Sequence, residues 1–267
     1  MRAQLDHDRI ASLLGESSIT SVVVLDKTDS TNAEVQRRGE VGSAVFADFQ
    51  EGGRGRLGRR WEEIPYAGLA VSVLLPAPPD PGWMPLATGL ALAVAVEEAC
   101  GLDAAIKWPN DLFDRATGRK LAGILCELIP GGVVVGAGLN VDHSEYELPL
   151  PTATSIALAL GLGSGGGVRI DREAIAAAFL RELGARHTAL LAGGEAAARV
   201  RADYRARCAT IGAEVTVTTA GGVLTGLASA VDDSGCLVVT GPAGHATVAA
   251  GDVHHVRPAG EASMNSE

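Results

Sequence analysis

Residues 105–113, 120–129 and 132–141 form three apolar, β-rich runs separated only by a short polar turn (114–119) and by Pro130-Gly131. Connections this short leave no room for crossover helices, so the three runs are predicted to pair as an antiparallel meander. Upstream, 20–26, 43–50 and 69–75 also read as strands, rich in β-branched residues or ended by prolines. Helices are predicted at 5–18, at 33–38 behind the capping run Asp29-Ser30-Thr31-Asn32, at 85–100 and at 171–191. The third of these has Pro85 at its start and Gly101 just past its end, the usual asymmetry of helix termini. Strands and helices do not alternate regularly, so an α+β fold with a mixed, largely antiparallel sheet is expected.

Beyond residue 212 the texture changes. Short Val- and Thr-rich segments alternate with the turns Gly221-Gly222, Asp232-Asp233-Ser234-Gly235 and Gly241-Pro242-Ala243-Gly244. That pattern predicts a small β barrel of about five strands. The boundaries read as a first domain over 1–211, the barrel over 212–258 and a disordered tail over 259–267.

Composition excludes several classes. The formal charge is −10, against the broadly basic surface that general nucleic-acid binding requires. The apolar run 86–96 is too short to span a bilayer and contains Thr88 and Gly89, and the N-terminus has no signal-like core. Cys100, Cys126, Cys208 and Cys236 form no Cys-x-x-Cys pair, so free thiols in a reducing cytoplasm are expected, with no zinc. Gly161, Gly163 and Gly166 match a dinucleotide fingerprint formally. They follow a predicted helix and not a strand, so they read as a connector, with no NAD or flavin site.

Three clusters suggest chemistry. Residues 50–61 carry four glycines in seven positions (Gly52, Gly53, Gly55, Gly58) among Arg54, Arg56, Arg59 and Arg60, and end at Trp61. Missing side chains admit a ligand to the backbone, and guanidinium matches phosphate and carboxylate; a solvated loop or an RNA-binding Arg-Gly segment is the competing reading. Lys107-Trp108-Pro109-Asn110-Asp111 places a lysine at the end of an apolar run, where its ammonium must find an anion or snorkel to solvent. Pro109 there implies a sheet edge or a bulge. Gly123, Gly136 and Gly138 leave gaps in the meander, suited to a pocket floor or to close packing of sheet neighbours.

Taken together, Asp29-Ser-Thr-Asn32, Gln50 with Gly53-Arg-Gly-Arg56, Lys107-Trp-Pro-Asn-Asp111, Lys120-Leu-Ala-Gly-Ile124 and Gly136-Ala-Gly-Leu-Asn140 resemble the motifs of biotin–protein ligases in order and spacing. The resemblance runs from about residue 20 to 256. It implies a class II aminoacyl-tRNA synthetase-like catalytic domain followed by an SH3-like barrel. It also implies activation of biotin with ATP and Mg2+ to biotinyl-5′-AMP, then transfer to one lysine of a biotin carboxyl carrier domain.

Carried over by residue, the resemblance implies catalytic roles for Lys107 and Arg54. Biotin would be held by Ser30, Thr31, Asn32, Gln50, Gly53, Arg54, Gly55, Arg56, Lys107, Gly123 and Gly136. The nucleotide would be held by Arg54, Arg56, Trp61 (stacked on adenine), Lys107, Asn110, Lys120 and Asn140. Magnesium would ride mainly on the ATP phosphates, near Asp111. About 20 residues precede the first core strand, too few for the DNA-binding domain some family members carry. A cytoplasmic ligase that binds no DNA or membrane, monomeric or weakly dimeric, is therefore expected. Lipoate–protein ligases share the chemistry but lack the paired Gly-Arg-Gly-Arg and Lys-Trp-Pro-Asn-Asp signature.

Overall fold

The computed structural model describes residues 2–162, 170–219, 221–242 and 244–255. The predicted tail and most of the Gly161–Gly166 run lie outside the described residues. The first part contains α1 (His7–Leu14), β1 (Ser21–Leu25), α2 (Thr31–Arg38), β2 (Ser43–Ala47), β3 (Gly68–Leu75) and α3 (Met84–Cys100). It continues with β4 (Ala104–Lys107), β5 (Asp111–Asp114), β6 (Lys120–Ile129), β7 (Gly132–Asn140), α4 (Ile156–Ala159), α5 (Arg172–Ala192) and α6 (Gly194–Arg207). After these come β8 (Glu214–Thr219), β9 (Gly222–Val231), β10 (Leu237–Gly241), β11 (Gly244–Val248) and β12 (Asp252–His255).

Seven strands form one sheet in the order β1-β2-β3-β7-β6-β5-β4. Only β1 and β2 pair in parallel; every other neighbour is antiparallel. The sheet is therefore mixed and largely antiparallel, with β5, β6 and β7 forming the expected meander. Its middle strand, β7, is buried at all nine positions, which suits a run of valines and small residues.

Helix α3 is apolar on every face because it lies between the sheet and α5. Together with the turn before it, α3 is the one stretch, among the described residues, apolar and long enough to cross a membrane; two thirds of it is buried inside the protein. Gly101 ends it in the left-handed conformation at φ 67°, donating to the Glu97 carbonyl. The four cysteines are free thiols.

Two expectations are corrected. Residues 105–113 are not one strand: β4 and β5 are a hairpin, paired from Ala104↔Asp114 to Lys107↔Asp111. The chain reverses at Trp108-Pro109-Asn110, where the Trp108–Pro109 peptide is cis. Proline has no N–H for a ladder, so the apolar run breaks there, and Pro109 sits in a turn and not on an edge or a bulge. Second, helix α6 stands where no element is expected from the sequence. Its buried residues Ala197, Val200 and Tyr204 fall at i, i+3 and i+7, one face of a helix.

The last five strands form a separate antiparallel sheet in the order β11-β10-β9-β8-β12. Its β9–β10 turn rests on two tryptophans of the first part. Trp83 Nε1 donates to the Asp233 carbonyl at 2.7 Å and Trp108 Nε1 to the Gly235 carbonyl at 3.0 Å. Gly235 has φ 84° and a Cβ there would lie 3.1 Å from the Gly82 carbonyl oxygen, so this docking needs glycine. Trp108 thus joins the two sheets.

Candidate functional site

A cavity of about 230 Å³ lies where the 50–61 loop crosses β6 and β7. One end is polar and uncharged. Ser30 caps α2, and Thr31 and Asn32 open its first turn; all three are buried and line the cavity. Gln50 lies opposite, its Oε1 accepting from Thr31 N at 2.8 Å and Thr31 Oγ at 3.0 Å. Ser72 Oγ on β3 stands 2.7 Å from Thr31 Oγ and 2.5 Å from Asn32 Oδ1, while Asn32 Nδ2 donates to Glu127 at 2.7 Å. These bonds fix which donors and acceptors face a ligand.

The other end is cationic. Arg54, Gly55, Arg56, Arg59 and Arg60 all line it. Arg56 Nη1 donates to Asn110 Oδ1 at 3.1 Å, and Asn110 Nδ2 donates to the Ile124 carbonyl at 2.9 Å, so loop, hairpin and β6 are tied together. Lys120 Nζ is 2.6 Å from Asp111 Oδ1. Asn140, at the end of β7, donates to the Thr154 carbonyl at 3.0 Å and completes the wall. Arg59 pairs with Asp252 on β12, and Arg60 donates to the Glu51 carbonyl at 2.9 Å. The last strand of the second sheet thereby reaches the cavity.

The glycines of the floor lie beneath protein side chains. A Cβ on Gly138 would lie 2.5 Å from Trp61 Cε2, and one on Gly123 would lie 3.2 Å from Trp61 Cζ3. A Cβ on Gly136 would meet Asn32 Oδ1 at 2.1 Å. Pocket floor and close packing, held as alternatives above, are both realised. Gly138→Ala would drive the Trp61 ring from its seat, an overpacking cost of about 1–3 kcal/mol. Calorimetric unfolding is expected to show that loss of stability.

Two predicted site residues do not line the cavity. Gly53 is required by its own chain: a Cβ there would lie 2.7 Å from the Trp61 carbonyl oxygen, across a bond from Trp61 N to Gly53 O of 2.9 Å. Lys107 pairs across the hairpin with Asp111, and its Nζ is 5.0 Å from the centroid of the Phe113 ring. Burial lowers the Lys107 pKa from its usual value, Asp111 opposing the shift.

Sequence reasoning missed Glu63, Ser72 and Asp252. Glu63 carries a visible signal, an acid two residues past Trp61; Asp252 carries none, because its meeting with Arg59 depends wholly on the tertiary fold. Among the described residues no group of three or more His, Cys, Asp or Glu side chains could hold a metal ion. Asp111 and Asp252, the acids lining the cavity besides Glu62, are already paired with Lys120 and Arg59.

A sequence profile of the biotin/lipoate A/B protein ligase family matches residues 23–143, and one of the biotin protein ligase C-terminal domain matches 210–256. The chain is 37% identical to the biotin–[acetyl-CoA-carboxylase] ligase of Mycobacterium tuberculosis, over 94% of its own length and 99% of that protein. The chain belongs to the biotin–protein ligase family. The Paracoccus denitrificans ligase of the same name is 33% identical, over 86% of this chain and 98% of the relative. Among solved structures, the biotin protein ligase of Aquifex aeolicus in complex with biotin and ATP superposes with a TM-score of 0.77 at 25% identity, covering 89% of this chain and 99% of that one. The mixed sheet and the C-terminal unit described above fit this family's architecture.

Proposed function

We propose that the cavity is the adenylation site of a biotin–[biotin carboxyl-carrier protein] ligase. The enzyme joins biotin to ATP as biotinyl-5′-AMP, releasing pyrophosphate, and passes the biotinyl group to a lysine of a carboxyl carrier domain, releasing AMP. The observation that carries the reading is that one cavity joins a hydrogen-bonded neutral end, built on Thr31 and Gln50, to an end lined by Arg54, Arg56 and Lys120. Biotin needs both, a matched site for its ureido ring and cations for its carboxylate.

The chemistry follows from charge. A carboxylate oxygen must approach the α-phosphorus of a polyanion, and the bond to the pyrophosphate oxygen must break. Arg54, Arg56 and Lys107 screen that approach and stabilise the charge that gathers in the transition state, while the Gly55 N–H, bonded to the Arg59 carbonyl at 2.7 Å, holds the loop that carries the arginines. Ser30, Thr31, Asn32 and Gln50 hold the ureido end over Gly123 and Gly136. Trp61 and Asn140 border the nucleotide, with Asn110 and Lys120 between the two substrates. Magnesium would ride mainly on the triphosphate oxygens, and Asp111, which lines the cavity and pairs with Lys120, would be the carboxylate offered to it. The mixed anhydride hydrolyses readily, so water must be kept from it until the acceptor amine attacks its carbonyl.

The domain reading is a catalytic unit over 1–211 and an SH3-like barrel over 212–258, supported by the five antiparallel strands of the second sheet. The acidic net charge and free thiols support an enzyme of the cytoplasm that uses no DNA. Biotin-dependent exchange of labelled pyrophosphate into ATP tests the reading. Exchange that requires biotin is expected; folded protein that shows none would refute it.

A further inference from the structure

Glu63 lies outside every role assigned above, yet it is wired to the recognition end of the cavity. Its Oε1 accepts from Gln50 Nε2 at 3.1 Å and from Trp61 Nε1 at 3.0 Å, and its Oε2 accepts from the Gln50 backbone N–H at 3.1 Å. Gln50 Oε1 is meanwhile occupied by Thr31 N and Thr31 Oγ. An amide has one accepting and one donating end, so bonds at both ends allow only one of its two orientations. One Nε2 hydrogen remains for a ligand.

We infer that Glu63 is a positioning residue for biotin: its carboxylate turns the Gln50 amide so that a single N–H faces the biotin pocket, and it holds Trp61 across the glycine floor. The inference rests on the ligase reading of the cavity. It deepens that reading by naming the group that orients the ring-binding glutamine.

Three donors converge on two oxygens, an arrangement that suits a carboxylate. A proton on Oε2 would face the Gln50 N–H, and one bond of the three would be lost. Burial raises the Glu63 carboxyl to about 7, against the lowering effect of its bonds to Gln50 and Trp61. The other ionisable groups around it are engaged elsewhere. Arg56 is on Asn110, Arg60 on the Glu51 carbonyl, Lys120 on Asp111, Asp252 on Arg59, and Asp48 on Arg172. Arg54 lines the cavity and Glu62 is exposed. Among the described residues none of these is hydrogen-bonded or ion-paired to Glu63.

The test is the pH profile of the biotin KM in pyrophosphate exchange, for wild type and for Glu63→Gln, which keeps the shape and removes the titration. The wild-type KM is expected to rise about tenfold from about pH 8.5 to about pH 6 at nearly constant kcat, as one hydrogen bond in the frame is lost. Glu63→Gln is expected to stay near the acid value throughout. His255, whose pKa burial and Lys107 lower, is present in both proteins and cancels in the comparison.

Stability without ligand runs the other way. A carboxyl raised from 4.5 to about 7 contributes stability in full below about 4.5, and that contribution is lost as pH rises through about 7. Glu63→Gln is therefore expected to gain in Tm over wild type across that range. Exchange with a flat wild-type KM, or a Glu63→Gln profile that keeps the wild-type slope, would overturn the Glu63 role alone. Absence of biotin-dependent exchange in folded wild type would overturn both readings.

Discussion

Lys107→Ala is expected to slow biotinyl-adenylate formation by roughly 10²–10³-fold at saturating biotin and ATP, the usual effect of removing one preorganised donor to a developing anion. Lys107 closes β4 directly across the hairpin from Asp111, which lines the cavity. Its ammonium makes no hydrogen bond or ion pair among the described residues, although burial disfavours its charge. An unpaired, half-buried cation is unfavourable unless an anion arrives to meet it. On the proposed reading, that anion is the substrate carboxylate and α-phosphate, which the flexible four-carbon stem would have to reach from the Phe113 ring. Single-turnover formation of the adenylate measures the effect. A rate within a few-fold of wild type would remove Lys107 from the chemistry and leave Arg54 and Arg56 to supply the charge.

The largest expected effect on stability lies behind the site. Arg172→Ala is predicted to destabilise the fold by about 3–5 kcal/mol, the range for breaking a buried ion pair from one side. Arg172 and Asp48 are both buried and their charged atoms are 3.0 Å apart. The same guanidinium donates to the Gly68 carbonyl at 2.9 Å and to the Ala3 carbonyl, and Asp48 accepts from Leu5 N at 3.0 Å. One pair thus gathers the N-terminal segment, the end of β2, the start of β3 and the start of α5. Burial raises the Asp48 pKa, opposed by its bond to Leu5 and by Arg172, so deleting the arginine strands an acid without its counter-charge. Urea unfolding of Arg172→Ala and of the double variant Asp48→Ala/Arg172→Ala checks this. The double variant is expected to lose less than the sum of the two single losses, because the two residues act as a unit. A single-variant loss below about 1 kcal/mol would contradict it.

Most of this architecture was legible because it is local. Prolines and glycines place α3 between Met84 and Gly101, and tight turns imply the β5–β6–β7 meander from local sequence alone. The hairpin at Trp108-Pro109-Asn110 was hidden by the apolar residues on either side, which mimic one continuous strand. Helix α6 was hidden by its sparse apolar face, three buried residues following two glycines.

The site divides the same way. Ser30, Thr31, Gln50, Arg54, Arg56 and Lys120 sit in short motifs whose residue types betray their chemistry, and the fold brings them to one cavity. Arg59 and Arg60, without a role in the sequence, are found bound to Asp252 and to the Glu51 carbonyl. Gly53 lies off the cavity lining, where its backbone crosses that of Trp61. What could not be read was long-range: the Asp252 clamp from the last strand, and the burial that turns Glu63 from a surface acid into part of the frame.

Intact-mass measurement of a biotin carboxyl carrier domain, incubated with this protein, biotin, ATP and Mg2+, addresses the central claim most directly. The account predicts a gain of one biotinyl group on one lysine, dependent on both biotin and ATP and not produced when lipoate replaces biotin. An unchanged carrier mass in the presence of folded protein, or a lipoyl group added in preference to biotin, would contradict it.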